Sequence, residues 1–254
     1  MRSYITPSQV AASSEFARAT LKTIAKARAF VFPAALLMVC WDFSVEPVMA
    51  QSFATPVNYG SALFPESVAV GDFNNDGKAD LVTANFSGNS VSVLLNNGDG
   101  TFAAKVDYAT GMHPFSVAVG DFNNDGKPDL AVTNRGSGTV SVFLNNGGGT
   151  FAAKVDYATG GAPQGFAVGD FNLDGKPDLA VANFNDSTVS VLINNGSGTF
   201  ATKVDYPTGG FPNSVAVGDF NLDGRPDLVV VNNAEKLPTK VLRFARLFVS
   251  SIRC

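Results

Sequence analysis

A stretch of eleven residues, GDFNNDGKPDL at Gly120–Leu130, occurs four times in this chain. The other copies are GDFNNDGKADL at Gly71–Leu81, GDFNLDGKPDL at Gly169–Leu179 and GDFNLDGRPDL at Gly218–Leu228. Their first aspartates, Asp72, Asp121, Asp170 and Asp219, stand 49 residues apart each time. A fixed period of this size marks a solenoid, a propeller or an array, whose units bury apolar surface only by stacking on their neighbours. The flanks repeat as well. NNGDGTFAAKVDYATG (Asn96–Gly111) returns as NNGGGTFAAKVDYATG (Asn145–Gly160) and NNGSGTFATKVDYPTG (Asn194–Gly209). Even FATPVNYG at Phe53–Gly60 is in register with the segment that begins at Phe102.

Each unit reads as four short strands. In the second unit these are SVAVGDF (Ser116–Phe122), DLAVTN (Asp129–Asn134), TVSVFLNN (Thr139–Asn146) and TFAAKVDYA (Thr150–Ala158). Asn-Gly followed by another glycine, between the third and fourth, is a strong hairpin signal. The repeat region holds no apolar pattern of helical period. Four strands in 40–50 residues describe a β-propeller blade. The expected fold is therefore all-β: four 49-residue blades, the last incomplete, forming an open partial propeller or a four-bladed ring. An open array would leave blade edges available for self-association.

The repeated loop joins the first strand to the second, so every copy falls on one face. Counting Asp121 as position 1 puts Asn123 at 3, Asp125 at 5, Gly126 at 6, Lys127 at 7 and Asp129 at 9. Oxygen donors at 1, 3, 5 and 9, with glycine for a sharp turn at 6, suit calcium, which takes six to eight oxygens. Without a cation three carboxylates this close repel one another. A solvated Asn/Asp/Gly turn is the plain alternative, but four independent turns would have no reason to keep positions 1, 3, 5, 6 and 9 identical. The loop is not an EF-hand. That motif needs glutamate at position 12 between two helices, whereas position 12 here is Thr83, Val132, Val181 or Val230 and the flanks are strands.

The VAVGDFNxDGKxDL core, the NNGxGTF hairpin and the Gly161-Ala162-Pro163 triplet resemble FG-GAP (VCBS-type) repeats, the blades of integrin α-subunit propellers and of many secreted bacterial proteins. The resemblance covers Phe53 to about Asn233. It implies calcium held through positions 1, 3, 5 and 9 and the main-chain carbonyl at 7. In this chain those positions are Asp72, Asn74, Asp76, Lys78 and Asp80; Asp121, Asn123, Asp125, Lys127 and Asp129; Asp170, Asn172, Asp174, Lys176 and Asp178; and Asp219, Asn221, Asp223, Arg225 and Asp227. Asparagine replaces the aspartate that many family loops carry at position 3, so affinity is expected to be lower. The resemblance further implies a ring of usually seven blades, with recognition carried by the loops opposite the metal face. Those loops would include Gly111–Ser116, Gly160–Gly165 and Gly209–Ser214.

Charge is unevenly placed. Residues 51–233 carry 18 acidic and 8 basic side chains, a net of −10, and twelve of the acids are loop aspartates. So acidic a region argues against nucleic acid as a partner, because phosphate binding needs Lys/Arg patches. The remaining bases lie at the ends. Arg18, Lys22, Lys26 and Arg28 precede the apolar run Ala29–Trp41, and Val48–Ala50 follows before Gln51. This order, in residues 1–50, reads as a secretory signal region. The apolar run is too short to span a bilayer, so no transmembrane span is expected. Cleavage would leave Cys254 as the one cysteine, so calcium rather than a disulfide would staple an extracellular or cell-envelope domain. Residues 234–254 break the repeat. They read as an unrelated basic tail, as an amphipathic stripe (Leu237, Val241, Phe244, Phe248, Ile252), or as a slipped third strand at Thr239–Phe244.

Catalysis is not expected. The chain has one histidine, His113, which falls at a variable loop tip, since Phe64, Ala162 and Phe211 occupy its place in the other units. The repeated acids are committed to the loops. The function read from the sequence is a secreted or cell-surface calcium-binding propeller that serves as a binding and adhesion scaffold for a protein or carbohydrate ligand. A lectin-type propeller and a fragment of a longer repeat protein are the alternatives.

Overall fold

The computed structural model describes residues 55–233 and 242–243. Three antiparallel four-stranded sheets follow one another, and a three-stranded sheet comes last. The first blade is β1 (Pro65–Gly71), β2 (Asp80–Asn85), β3 (Ser90–Leu94) and β4 (Val106–Ala109). Blade 2 is β5 (Pro114–Gly120), β6 (Asp129–Asn134), β7 (Thr139–Phe143) and β10 (Val155–Ala158). Blade 3 is β11 (Pro163–Gly169), β12 (Asp178–Asn183), β13 (Thr188–Leu192) and β14 (Val204–Pro207). Blade 4 holds β15 (Pro212–Gly218), β16 (Asp227–Asn232) and β17 (Leu242–Arg243). Pairing keeps the sequence period: Val82 faces Val93, Ala131 faces Val142 and Ala180 faces Val191.

The third and fourth strands are shorter than the sequence pattern suggests. Between β7 and β10 the chain forms a separate small hairpin, β8 (Asn145–Gly147) with β9 (Thr150–Phe151). In every complete blade the first hairpin asparagine gives its main-chain amide to a buried loop aspartate, Asp80, Asp129 or Asp178, and in blades 2 and 3 the hairpin also bonds the blade before it. Asn145 Nδ2 donates to the carbonyls of Phe73 and Pro128, and Gly149 N donates to Phe73 O. The hairpin thus leaves its own sheet to cap the preceding repeated loop.

Both faces of each blade are apolar, and one interface repeats three times. The face of a blade turned toward the next one (Ala69, Val82, Val91 and Val93 in blade 1) packs on the face its neighbour turns back (Val117, Leu130 and Val132 in blade 2). Blades 2 and 3 meet in the same way, as do blades 3 and 4. Each fully buried Val, Leu or Phe contributes about 1.5–3 kcal/mol, so stability resides mainly between blades. At the two ends the pattern stops. The backward face of blade 1 is open, with Val68 and Val70 62% and 59% exposed, and Ala216 and Val231 on the forward face of blade 4 are exposed too. The described blades are an open partial propeller.

Each complete blade also carries a polar thread that the alternating pattern conceals. In blade 2, Asn134 Oδ1 accepts from Gly111 N, and its Nδ2 donates to Thr139 and Ser141 Oγ atoms. Ser141 in turn donates to Asp156, which pairs with Lys154. Blades 1 and 3 repeat it through Asn85–Ser92–Asp107 and Asn183–Ser190–Asp205. An unpaired buried donor or acceptor costs about 1–3 kcal/mol. Asn134→Ala is therefore expected to destabilise the chain by about 2 kcal/mol, read as a lowered midpoint in urea with an unchanged slope.

In blade 4, β17 pairs Val229 with Arg243 and Val230 with Leu242. Ala180 pairs with Val191 in blade 3, so unslipped repeats would pair Val229 with Lys240. The third strand of blade 4 has slipped by three residues, the slipped-strand reading among those offered for the tail. Residues 1–50, expected to be a signal region, and the remaining tail residues lie outside the described residues. No helix among the described residues is long and apolar enough to cross a membrane.

Candidate functional site

The four repeated loops have one conformation. Gly77, Gly126, Gly175 and Gly224, all at position 6, take φ near +80°, the turn expected of them. Position 4 is also left-handed, at Asn75, Asn124, Leu173 and Leu222. Asparagine tolerates that region, but leucine is a genuine outlier there. Strain of this kind persists only where surrounding structure imposes it, and it clusters at functional sites.

Hydrogen bonds bring positions 1, 3 and 5 together. In the second loop Asp121 accepts from the main-chain amides of Asp125 and Gly126, at 3.0 and 2.8 Å. Asn123 Oδ1 accepts from Asp125 N, and its Nδ2 donates to Asp125 Oδ2. The same bonds link Asp72, Asn74 and Asp76 in the first loop and Asp219, Asn221 and Asp223 in the fourth. In the third loop, Asp170 and Asn172 accept from the amides of Asp174 and Gly175. Position 7 contributes a cation. Lys78, Lys127 and Lys176 Nζ lie 3.1, 2.9 and 3.2 Å from the position-5 carboxylates. The lysine hydrogen bond leads the effects that hold Asp76 and Asp125 below the usual carboxylate range. Arg225 meets Asp223 through its main-chain amide.

Position 9 behaves differently. Asp80, Asp129 and Asp178 are fully buried. Asp129 Oδ2 accepts from Phe122 N at 2.9 Å and Oδ1 from Asn145 N at 2.7 Å. Asp80 and Asp178 hold the equivalent pairs, Phe73 with Asn96 and Phe171 with Asn194. Among the described residues Asp227 accepts from Phe220 alone, at 3.1 Å. Burial pushes the carboxyls of Asp129 and Asp178 up. The two amide bonds oppose that rise, and the charges at positions 1 and 5 add to it. The sequence reading counts position 9 simply as a fourth oxygen donor. It missed both its inward role and the asparagine that shares it, although Asn96, Asn145 and Asn194 recur at the same period.

These observations test the loops against a hard cation. The donors are all oxygen, the carboxylates at 1, 5 and 9 are close enough to repel, and an ammonium group already rests on position 5 in three loops. A carboxylate has about four lone-pair sites, so the buried aspartate retains two beyond its amide bonds. Among the described residues no three His, Cys, Asp or Glu side chains are grouped so as to hold a metal ion by themselves. Calcium would therefore need main-chain and asparagine oxygens as well as carboxylates, and the set at positions 1, 3, 5, 7 and 9 fits it on those terms.

The opposite end of each blade carries the turns between second and third strands beside the loops leading into the next blade. His113, Ala162 and Phe211 in those loops are left-handed, as is Phe64. Rings meet across blades: Phe86 stacks on His113 at 4.6 Å, and Phe184 lies 5.1 Å from Phe211 with Arg135 over its other neighbour side at 5.9 Å. Phe64, Met112 and Phe211 are exposed there.

A family model described as an FG-GAP-like repeat matches residues 72–132, 121–181 and 170–230. No curated protein matches the chain. Among solved structures, BBS1N in complex with ARL6DN is similar at 17% identity and a TM-score of 0.50, over 71% of this chain and 54% of that one. A functionally unknown protein from Desulfotomaculum acetoxidans DSM 771 is similar at 14% identity and 0.53, over 74% and 54%. A lectin from Agrocybe aegerita that recognises non-reducing terminal N-acetylglucosamine is similar at 25% identity and 0.45, over 68% and 51%. The first two likenesses concern the fold alone. The chain spans about half the length of these solved chains.

Proposed function

Since the chain belongs to the FG-GAP-like repeat family, we propose that it is an exported, calcium-stabilised propeller module that serves as a binding scaffold rather than a catalyst. The observation that carries the reading is the fourfold loop in which oxygen donors at positions 1, 3 and 5 are tied together, in three copies above a fully buried aspartate at position 9. Calcium would be held by Asp72, Asn74, Asp76, Asp80 and the Lys78 carbonyl, and by their equivalents in the other loops. It supplies charge neutralisation and cross-linking of the loop; the chemistry of the chain is otherwise that of a surface. Residues 1–50 supply the export signal.

Calorimetric titration of the chain with calcium is expected to give four ions per chain with affinities near 10⁻⁴–10⁻³ M. Asp125→Ala is expected to give three. An unchanged count in that variant, or no heat at all, rules the metal reading out.

The ligand surface is the end opposite the loops. Its aromatic side chains are exposed and vary between blades, as recognition requires, whereas the metal end is uniform. The exposed rings of Phe64 and Phe211 also suit the apolar faces of sugar rings, which keeps a carbohydrate ligand as the second reading. Glycan-array binding separates the two: loss of a specific glycan signal in Phe211→Ala supports sugar recognition, and a blank array favours a protein ligand.

A further inference from the structure

The three interfaces inside the array all join the forward face of one blade to the backward face of the next. The two ends of the array are the unmatched members of that pair. Val68 is 62% exposed where its counterparts Val117 and Val215 are each 6% exposed, because no blade covers it. Val231 is 39% exposed where Ala182 is fully buried.

Two further features show what each end lacks. Tyr59 lies edge-on to Phe102 at 5.1 Å, and its hydroxyl donates to Gly100 O. Tyr157 meets Phe200 and Gly198 O in the same way. Tyr157 belongs to the outermost strand of the blade before the hairpin it touches. The segment around Tyr59 therefore stands where the outermost strand of a blade ahead of blade 1 would stand. Among the described residues blade 4 is the blade without such a strand. Its loop phenylalanine, Phe220, is 47% exposed, whereas Phe122 is fully buried beneath the Phe200 hairpin of the following blade. Among the described residues Asn232 Nδ2 donates only to the Val230 carbonyl, where Asn134 and Asn183 bond paired hydroxyls of the third strand.

We propose that these ends complete each other between two copies of this chain, blade 1 of one docking head-to-tail on blade 4 of its partner, with the Tyr59 segment running beside that partner's unfinished blade. The occupant is a second copy because the surface that fits the forward face of a blade is the backward face of another blade of this same repeat, and the chain already makes that junction three times. Every copy has one end of each kind, so a pair makes two identical junctions and leaves no free end. Heterologous contacts of this kind close into rings when the rotation allows. Two four-bladed copies make eight blades, the upper end of the usual range of four to eight. The proposal does not depend on metal occupancy.

Sedimentation of the full chain with calcium present tests it. The expected result is a species of twice the single-chain mass that dissociates on dilution. Val68→Glu and Ala216→Arg change exposed residues at opposite ends, so each variant should fold and sediment as a monomer. An equimolar mixture of the two should regain a species of twice the mass, since one junction in the mixed pair joins two unaltered faces. Three outcomes overturn the proposal: a wild-type monomer at all concentrations, open-ended species that grow with concentration, or a mixture that stays monomeric. A dimer abolished by Val68→Glu but not by Ala216→Arg overturns head-to-tail docking as well. Circular dichroism of each variant, unchanged from wild type, confirms that loss of mass is not loss of fold.

Discussion

In chelator, the thermal midpoint of the chain is expected to fall by on the order of 15 °C relative to ~1 mM calcium. With a dissociation constant of ~0.1 mM, each site adds roughly 1.4 kcal/mol by mass action, and four sites add about 6 kcal/mol. That is a large share of the 5–15 kcal/mol typical of a folded domain. The loops place it well. Asp121 and Asp125 raise the cost of keeping Asp129 charged, as Asp170 and Asp174 do for Asp178, so a divalent ion relieves a repulsion built into the second and third loops. The lysine at position 7 relieves it only in part, because exposed ion pairs contribute about 0–1 kcal/mol. Magnesium at the same concentration should restore little of the loss, since it demands octahedral geometry and gives up water reluctantly. Equal midpoints in chelator and calcium would exclude the stabilising role. Equal recovery by magnesium would mean general charge screening.

The fold was legible because the chain states it four times. A single GDFNNDGKPDL would leave the strand assignment open, but a fixed spacing with β-branched alternation on both sides allows few architectures. The second strand, Asp129–Asn134, was read to the residue. The third and fourth were not, because Asn145 is turned out of the strand by the Asp129 carboxylate 16 residues earlier, as Asn96 is by Asp80 and Asn194 by Asp178. The polar thread from Asn134 through Ser141 to Asp156 was missed for a similar reason: serine within a strand reads as a solvent-facing position until a second sheet covers it. At the loops, spacing identified the donors but not their direction. Nothing in the sequence separates an aspartate that faces outward at position 5 from one that faces inward at position 9. The register slip in blade 4 lies where the repeat itself stops, and there periodicity has nothing to say.

The contrast between positions 5 and 9 predicts two kinds of loop mutant. Asp129→Ala is expected to destabilise the protein by about 3–5 kcal/mol even in chelator. It removes a charged acceptor from two amides, Phe122 N and Asn145 N, both at buried positions, and hydrogen bonds to charged groups contribute about 1.5–3 kcal/mol each. Losing the bond to Asn145 also frees the hairpin that covers Phe73, whose ring lies edge-on to Phe151 at 5.6 Å. Asp125→Ala removes an exposed carboxylate that serves its own loop. In chelator it should cost less than about 1 kcal/mol, as surface changes usually do, and its further effect should appear only when calcium is added. Urea unfolding of both variants, with and without calcium, separates the roles. The repeat supplies an internal control. Among the described residues Asp227 has the Phe220 bond alone, so Asp227→Ala should cost about half of what Asp129→Ala costs. If all three variants lose the same stability in chelator, the buried aspartate is not what fastens loop to hairpin, and the inward role assigned to position 9 is wrong.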